Sequence, residues 1–282
     1  MDFNYDISVV LGSKNRKGLI KATIQSIREN QFNGKIEIIV VDGGSTDGTC
    51  DWLAKQKDVF TIVQPNYSIV DSEGIKCRAH TWGEFMNIGF KYAHSDYIVM
   101  VSDDLLLASG CLQKGYDEMR RRIDAGEKIG GGAFFFREYP KHDYFRVVSL
   151  PKGYININHG FYYRPAMEEV GWLDETSYNF YSGDGDFAMR LNLAGWKTIV
   201  LEDCFALHLT HLPKRNKTKP AWHVRDSNTF KNKYPFERKQ TIIKSDKKPD
   251  INARPFWRHA LKNVLMGWYA GNRTKQNNHK LK

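Results

Sequence analysis

Two clusters of carboxylates stand out in this sequence because their spacing could support metal binding and proton transfer. Asp103 and Asp104 follow an apolar run that ends at Val101. Mg²⁺ prefers oxygen ligands and binds diphosphates through one or two carboxylates, so this pair could form a metal site. Asp184 and Asp186 begin a segment with helical periodicity, where one of them could act as a general base. The alternative in both places is an Asp that caps a helix or favours its first turn.

A glycine-rich turn and two histidines extend this set of polar residues. Asp42 opens the sequence DGGSTDGT, whose glycines let a ligand approach the backbone closely. An Asp in this place could accept hydrogen bonds from a nucleobase or ribose, or it could only cap the turn. His208 and His211 follow the last predicted strand, and we expect His208 to complete a metal shell.

These residues must be positioned by alternating strands and helices. Short apolar runs rich in β-branched residues predict buried strands at 7–11, 36–41, 60–63 and 97–101. Helical periodicity lies between them, most clearly at 17–30 and 81–93. This alternation predicts an α/β fold with a mostly parallel central sheet and helices on both faces. Ligands bind such sheets beyond the carboxyl ends of the strands, which is where Asp42 and Asp103 fall.

The pattern is looser after residue 110. We expect helices at 111–122 and 184–194, and strands at 129–137, 154–164 and 196–201 that make the sheet mixed. Many aromatic residues lie in this half, where some should belong to the core and others could stack on a bound ligand.

Composition excludes several other classes of protein. The four cysteines are scattered without a C-x-x-C pair, which argues against a zinc ribbon and favours a reduced, cytoplasmic setting. The first residues lack the basic and apolar regions of a secretory signal. No apolar run approaches the roughly 20 residues that a membrane span needs.

The net charge of +10 is spread unevenly over the 282 residues. Residues 213–282 contain 19 Lys and Arg against 4 Asp and Glu, so the remainder is slightly acidic. We therefore predict a body at 1–212 and a basic extension at 213–282. Within the extension, residues 255–270 predict an amphipathic helix with tryptophans on its apolar face. Such a helix could bind an anionic membrane surface or dock on the body.

Four stretches occur in an order and spacing that characterise a known family. Residues 8–16, SVVLGSKNR, are similar to an opening motif SVIIPTYNR, and residues 37–49 match EIIVVDNGSTDGT almost throughout. Residues 87–104 resemble a segment that ends in a D-x-D motif. Residues 169–195 resemble G-x-F-D-E followed by E-D-x-D, Arg and Gly. The sequence thus resembles the inverting family 2 glycosyltransferases of the GT-A fold over about residues 6–212.

The resemblance implies a nucleotide-diphosphate sugar donor, a divalent metal (Mn²⁺ or Mg²⁺) and a glycan, glycolipid or polysaccharide acceptor. It divides the body into a donor-binding half, 1–104, and an acceptor-binding half, 105–212. The resemblance implies roles for ten residues. Ser13, Asp42, Arg78 and Asp103 would bind the donor, and Asp104 and His208 would bind the metal. Asp184 would be the catalytic base, and Trp172, Asp186 and Arg190 would bind the acceptor. The sequence departs from the family pattern at Ser102 and Gly183, which stand where the family has Asp and Glu.

Two other functions compete with sugar transfer. Sugar-phosphate nucleotidyltransferases carry a G-x-G-x-R loop after the first strand, whereas residues 12–16 here read GSKNR with a single glycine. A non-enzymatic nucleic-acid-binding protein would account for the basic extension, but the sequence contains no nucleic-acid-binding motif. We expect a cytoplasmic glycosyltransferase that lies at the inner face of a membrane, and the sequence makes no prediction of its oligomeric state.

Overall fold

The computed structural model describes residues 4–209, 221–235 and 240–252. The strands in chain order are β1 (Ile7–Ser13), β2 (Ile36–Asp42), β3 (Val59–Val63), β4 (Ser68–Val70), β5 (Lys76–Arg78), β6 (Tyr97–Met100), β7 (Leu105–Leu107), β8 (Ile129–Tyr139), β9 (Phe145–Ser149), β10 (Gly160–Tyr163), β11 (Lys197–Leu209) and β12 (Thr241–Ser245). The helices are α1 (Lys17–Arg28), α2 (Thr49–Leu53), α3 (Trp82–Tyr92), α4 (Cys111–Asp124), α5 (Arg164–Glu169), α6 (Gly183–Leu193) and α7 (Ala221–Lys233).

Ten of the strands in these ranges form one mixed sheet. Its main path is β12-β9-β8-β10-β6-β1-β2-β3, and β11 pairs with both β8 and β7. Strands β6, β1, β2 and β3 are parallel, whereas β10 runs antiparallel between β6 and β8. This confirms the predicted α/β fold with a mixed central sheet and a parallel portion formed by β6, β1, β2 and β3. Strands β4 and β5 form a separate hairpin.

The register of the parallel strands brings distant polar residues to one edge of the sheet. Ser13 at the end of β1 lies opposite Asp42 at the end of β2. Val10 of β1 lies opposite Met100 of β6, so the loop that follows β6 emerges beside Ser13. Residues from three separate parts of the sequence therefore meet at the carboxyl ends of the strands.

Apolar stripes on the helices hold them against this sheet. The stripe of α1 is buried as its periodicity predicts, including Leu19, Ile20, Ile24 and Ile27. Helix α3 approaches the sheet more closely at Gly89, where an added Cβ atom would lie 2.5 Å from a methyl group of Val10. A side chain there would push the helix away from β1, which explains the glycine in this segment.

The acceptor half differs most from the prediction. The strand predicted at 154–164 is limited to Gly160–Tyr163, and residue 155 makes only an isolated bridge to Ser149. The side-chain amides of Asn156 and Asn158 bond to Asp184, while the backbone N–H of Asn156 donates to the carbonyl oxygen of Val148. Strands β7, β4 and β5 were not predicted because three residues are too few to show a period.

The described part of the predicted basic extension packs on the body. Strand β12 pairs with β9 over five residues, and Asp226 of α7 accepts hydrogen bonds from the backbone before α6. The boundary at residue 212 stays a prediction. The amphipathic helix predicted at 255–270 and His211 lie outside the described residues. Among the described helices, none has the length and apolar character needed to cross a bilayer.

Candidate active site

A cavity of about 540 Å³ opens at the carboxyl ends of the parallel strands. Six of the predicted site residues line it: Ser13, Arg78, Asp103, Asp104, Asp184 and His208. The proposed metal ligands and the proposed base therefore share one cavity, although they lie far apart in the sequence. Asp42, Trp172, Asp186 and Arg190 are not among the residues that line it.

Arg16 bridges the two adjacent carboxylates in this cavity. Its Nη1 atom lies 2.8 Å from Oδ1 of Asp103, and its Nη2 atom lies 2.6 Å from Oδ2 of Asp104. Ser13 donates to the other oxygen of Asp103 at 2.8 Å. Both carboxylates are buried, so a nearby cation is needed to offset the cost of removing their charge from water.

The environment separates the acidities of the two carboxyl groups. Burial raises the pKa of Asp103 to about 7, and the negative charge of Asp104 adds to this effect while Arg16 opposes it. Burial alone would also raise the pKa of Asp104, but the charges of His208 and Arg16 hold it below its usual range. The negative charge of the pair is therefore concentrated on Asp104.

Asp104 and His208 fit the requirements of a divalent cation. Oδ1 of Asp104 is buried and lies 3.0 Å from Nε2 of His208. Neighbouring ligands of an octahedral ion bound at about 2.1 Å are separated by about 3 Å. No group of three or more His, Cys, Asp or Glu side chains in the described ranges forms a complete metal site. An ion held by these two residues would need its remaining ligands from a bound molecule or water.

A second histidine packs behind the first. The ring of His159 lies 5.0 Å from the ring of His208 and 5.3 Å from that of Phe136, measured between centroids. Burial and, to a smaller extent, the nearby His208 together lower the pKa of His159 to about 3, so His159 is neutral. This apolar packing fixes the plane of the His208 ring.

Asp184 lies in the first turn of α6 with its side chain partly accessible from the cavity. The Asn158 amide donates to Oδ2 at 2.6 Å and the Asn156 amide at 3.2 Å, while the Gly185 N–H donates to Oδ1 at 2.9 Å. Desolvation by the surrounding protein raises the pKa of Asp184, and these three hydrogen bonds oppose the rise. The result is a carboxylate with raised basicity that faces the cavity, as a general base requires.

Asp186 occupies a different environment although it is only two residues away. Its side chain is completely buried and accepts hydrogen bonds from the hydroxyl groups of Tyr178 and Tyr234. It also pairs with Arg190 at 2.8 Å and Lys233 at 2.7 Å. These contacts tie α6 to α7 and leave the carboxylate without an open face toward the cavity. A direct contact between Asp186 and an acceptor stays a prediction.

Arg190 contacts Trp172 through a hydrogen bond from its side chain to the Trp172 backbone. The guanidinium of Arg190 donates to the carbonyl oxygens of Val170 and Trp172, at 2.7 Å and 2.6 Å. Trp172 has a left-handed backbone with φ of 64°, which these bonds help to hold. Arg190 therefore shapes the loop before α6, whereas acceptor binding by either side chain stays a prediction.

Asp42 is buried inside the turn that follows β2. Its carboxylate accepts the N–H and the hydroxyl of Ser45, each at 2.7 Å, and lies 3.1 Å from the sulfur of Cys50. In this arrangement its oxygens hold the glycine-rich turn. Contact with a nucleobase stays a prediction.

Several residues of the site were not predicted from the sequence. Arg16 belongs to the opening motif, but nothing in the sequence shows that it reaches Asp103 and Asp104. Asn158 and His159 end the alternating ININ segment, where the repeated asparagine was the available signal. The 64–80 segment contributes Asn66, Arg78 and His80 to the cavity wall, of which the sequence predicted only Arg78.

The sequence matches the profile of the family described as Glycosyl transferase family 2 over residues 8–164. This match covers more than half of the chain, so the protein belongs to glycosyltransferase family 2. A comparison with curated proteins finds no match.

Solved structures of glycosyltransferases share the fold. The mannosyltransferase PcManGT from Pyrobaculum calidifontis, in complex with GDP-Man and Mn²⁺, aligns with a TM-score of 0.58 at 17% identity, covering 90% of this chain and 68% of that one. TarS 1–349 from S. aureus aligns with a TM-score of 0.54 at 15% identity, covering 72% and 60%. The complex of the latter with UDP-GlcNAc aligns with a TM-score of 0.54 at 17% identity, covering 73% and 59%. This chain thus spans about 60% of the length of the TarS structure.

Proposed function

We propose that this glycosyltransferase moves a sugar from a nucleoside-diphosphate donor to an acceptor hydroxyl by direct displacement with inversion at the anomeric carbon. The observation that supports this most strongly is the placement of Asp184 and the Asp103–Asp104 pair in the walls of one cavity. A single base and a separate site for the leaving group suffice for a one-step displacement.

Asp184 would remove the proton from the acceptor hydroxyl as its oxygen attacks the sugar. The raised pKa of its carboxyl group, caused by desolvation, makes it a better proton acceptor than an exposed aspartate. The Asn156 and Asn158 amides would keep the carboxylate oriented toward the cavity.

The opposite part of the cavity would bind the donor. Asp104 and His208 would hold Mn²⁺ or Mg²⁺, and such an ion would stabilise the charge that develops on the departing diphosphate. Ser13, Arg78 and Asp103 would contact the nucleotide, with Asp42 beneath the nucleobase. The relatives in complex with GDP-Man and Mn²⁺ and with UDP-GlcNAc support a nucleotide-sugar donor.

The basic segment 213–282 would hold the enzyme at an anionic, cytoplasmic membrane surface where a glycan or glycolipid acceptor resides. This segment contains 19 Lys and Arg residues against 4 Asp and Glu residues, and its positive charge supports the proposal. We expect the protein to float with anionic liposomes but not with neutral ones. Binding to RNA or duplex DNA at physiological salt, without liposome binding, would favour the nucleic-acid alternative.

The experiment that tests the catalytic proposal begins with a screen of nucleotide sugars by thermal shift, with and without Mn²⁺ and Mg²⁺. With the donor identified, Asp184→Asn should lower the transfer rate by roughly 10²–10⁴-fold while leaving donor affinity nearly unchanged. Asp51→Asn, at an exposed residue of α2, serves as the matched control and should retain full activity. Normal turnover in Asp184→Asn would exclude Asp184 as the base.

A further inference from the structure

Four aromatic side chains cluster at the mouth of the cavity, and we call them the aromatic wall: Phe180, Tyr181, Trp222 and His223. Tyr181 and Trp222 are stacked, with ring centroids 5.5 Å apart and an angle of 13° between their planes. Phe180 lies 5.9 Å from Trp222, and His223 lies 4.3 Å from Tyr181. Phe180 and Tyr181 also line the cavity that contains Asp184.

Two rings of the aromatic wall are exposed although aromatic rings gain most from burial, and Trp222 and His223 are half-buried. Phe180 is 45% exposed and Tyr181 is 41% exposed. Neighbouring exposed rings beside a cavity mark a binding surface more often than isolated ones do. Packing of the core therefore does not explain why these residues are together.

Buried hydrogen bonds fix the backbone that carries these rings. The carboxylate of Asp226, completely buried on α7, accepts the backbone N–H groups of Asn179, Phe180 and Tyr181, each at 2.9 Å. The side chain of Asn179 in turn forms two hydrogen bonds with the backbone of Arg78, each at 3.3 Å. Its amide oxygen accepts the Arg78 N–H, and its amide nitrogen donates to the Arg78 carbonyl oxygen. The backbone that carries Phe180 and Tyr181 is thus held in place, so that a ligand binding these rings need not order it.

The position of the wall along the chain indicates which substrate it serves. Tyr181 lies three residues before Asp184, which faces the same cavity. The proposed metal ligands, Asp104 and His208, come instead from the loop after β6 and from β11. The wall also lies beyond residue 164, where the family match ends, so it is a feature of this chain that the match does not assign.

The chemistry of the wall suits a pyranose ring. The C–H groups of a sugar form an apolar face that stacks on an aromatic ring, while its hydroxyls bond to polar groups at the edge. Here the edge carries the imidazole of His223 and the hydroxyl of Tyr181. We propose that Phe180, Tyr181 and Trp222 form a stacking subsite for a sugar ring of the acceptor, so that the acceptor is a carbohydrate. This inference rests on the proposed function.

The test measures sugar binding and nucleotide binding separately on the full chain. Saturation-transfer NMR with methyl glycosides of glucose, galactose, mannose and N-acetylglucosamine reports the acceptor side, and calorimetry with UDP and GDP plus Mn²⁺ reports the donor side. We expect at least one glycoside to receive saturation mainly on the protons of one C–H face. Trp222→Ala and Tyr181→Ala should each weaken its binding by about tenfold, without changing nucleotide affinity. Trp222→Phe should restore part of the affinity because it retains a ring.

Tyr92→Ala is the matched control, since Tyr92 is 42% exposed and does not line the cavity. Its glycoside and nucleotide affinities should equal those of the unaltered protein. Absence of glycoside binding in a protein that binds nucleotides would overturn the subsite. Loss of nucleotide affinity in Trp222→Ala would also overturn it, because the wall would then serve the donor. Failure of the unaltered protein to bind any nucleotide would count against the proposed function itself.

Discussion

The amide of Asn158 donates to Oδ2 of Asp184 at 2.6 Å, a shorter contact than those from Asn156 at 3.2 Å and from the Gly185 N–H at 2.9 Å. Hydrogen bonds to a carboxylate stabilise its ionised form, which is the form that accepts a proton. Desolvation acts in the opposite direction and raises the pKa of Asp184. Asn158 therefore limits how far the pKa of Asp184, the proposed base, is raised.

Replacing Asn158 should move the acid limb of the pH–rate profile. In Asn158→Ala the carboxylate loses a charge-assisted hydrogen bond worth about 1.5–3 kcal/mol, so its pKa rises further. Because a protonated Asp184 cannot act as a base, the acid limb of kcat/KM should shift to higher pH by the same amount. Asn33→Ala, at an exposed asparagine, should leave the profile unchanged. A uniform loss of rate without a shifted limb would contradict this role.

Removing the charge of Arg16 should strengthen the binding of a metal ion to the protein without donor. Arg16 neutralises Asp103 and Asp104 at 2.8 Å and 2.6 Å, so a divalent cation must compete with it. We expect Arg16→Gln to bind Mn²⁺ at least about tenfold more tightly, as measured by titration of free Mn²⁺ with electron paramagnetic resonance. Arg28→Gln, which breaks a surface pair with Asp58, should behave like the unaltered protein. Unchanged or weaker Mn²⁺ binding in Arg16→Gln would show that the guanidinium does not compete for this site.

Asp186 should matter for stability more than for proton transfer. Asp186→Asn removes the charge that holds Arg190 and Lys233, and it leaves the donors of Tyr178 and Tyr234 incompletely paired. Loss of one partner of a buried ion pair costs on the order of 3 kcal/mol, or about 6–12 °C in Tm for a domain of this size. Thermal denaturation of the purified protein measures this directly. A Tm within about 2 °C of the unaltered protein would show that the cluster is not needed for the fold.

The donor half could be predicted because its signals are local in the sequence. The strands that end near Asp42 and Asp103 are continuous apolar runs, and the two adjacent carboxylates form a cluster without any knowledge of the fold. The different environments of Asp184 and Asp186 could not be predicted from local sequence signals. Side chains two residues apart on a helix point about 200° apart, so one faces the cavity and the other the interior, and the sequence does not show which.

Contacts between distant segments explain what else was missed. Arg16 reaches Asp103 because β1 pairs with β6, and this register is a property of the folded sheet. Helix α7 and strand β12 lie in a polar, basic stretch with weak periodicity, yet Asp226 is the carboxylate that fixes the aromatic wall. Its burial depends on packing against the loop before α6, which composition alone does not reveal.

The pairing of β12 with β9 constrains the order in which the chain can fold during synthesis. Strand β9 leaves the ribosome well before Thr241–Ser245, and in the described part of the chain β12 is the partner that covers its outer edge. Until then, the N–H and C=O groups of that edge are free to pair with another chain. All of the motifs shared with the family are already present at that stage. The newly made protein thus passes through an interval in which the proposed catalytic residues are present but the sheet edge can still pair with another chain. Its yield should therefore depend on how quickly translation reaches residue 245.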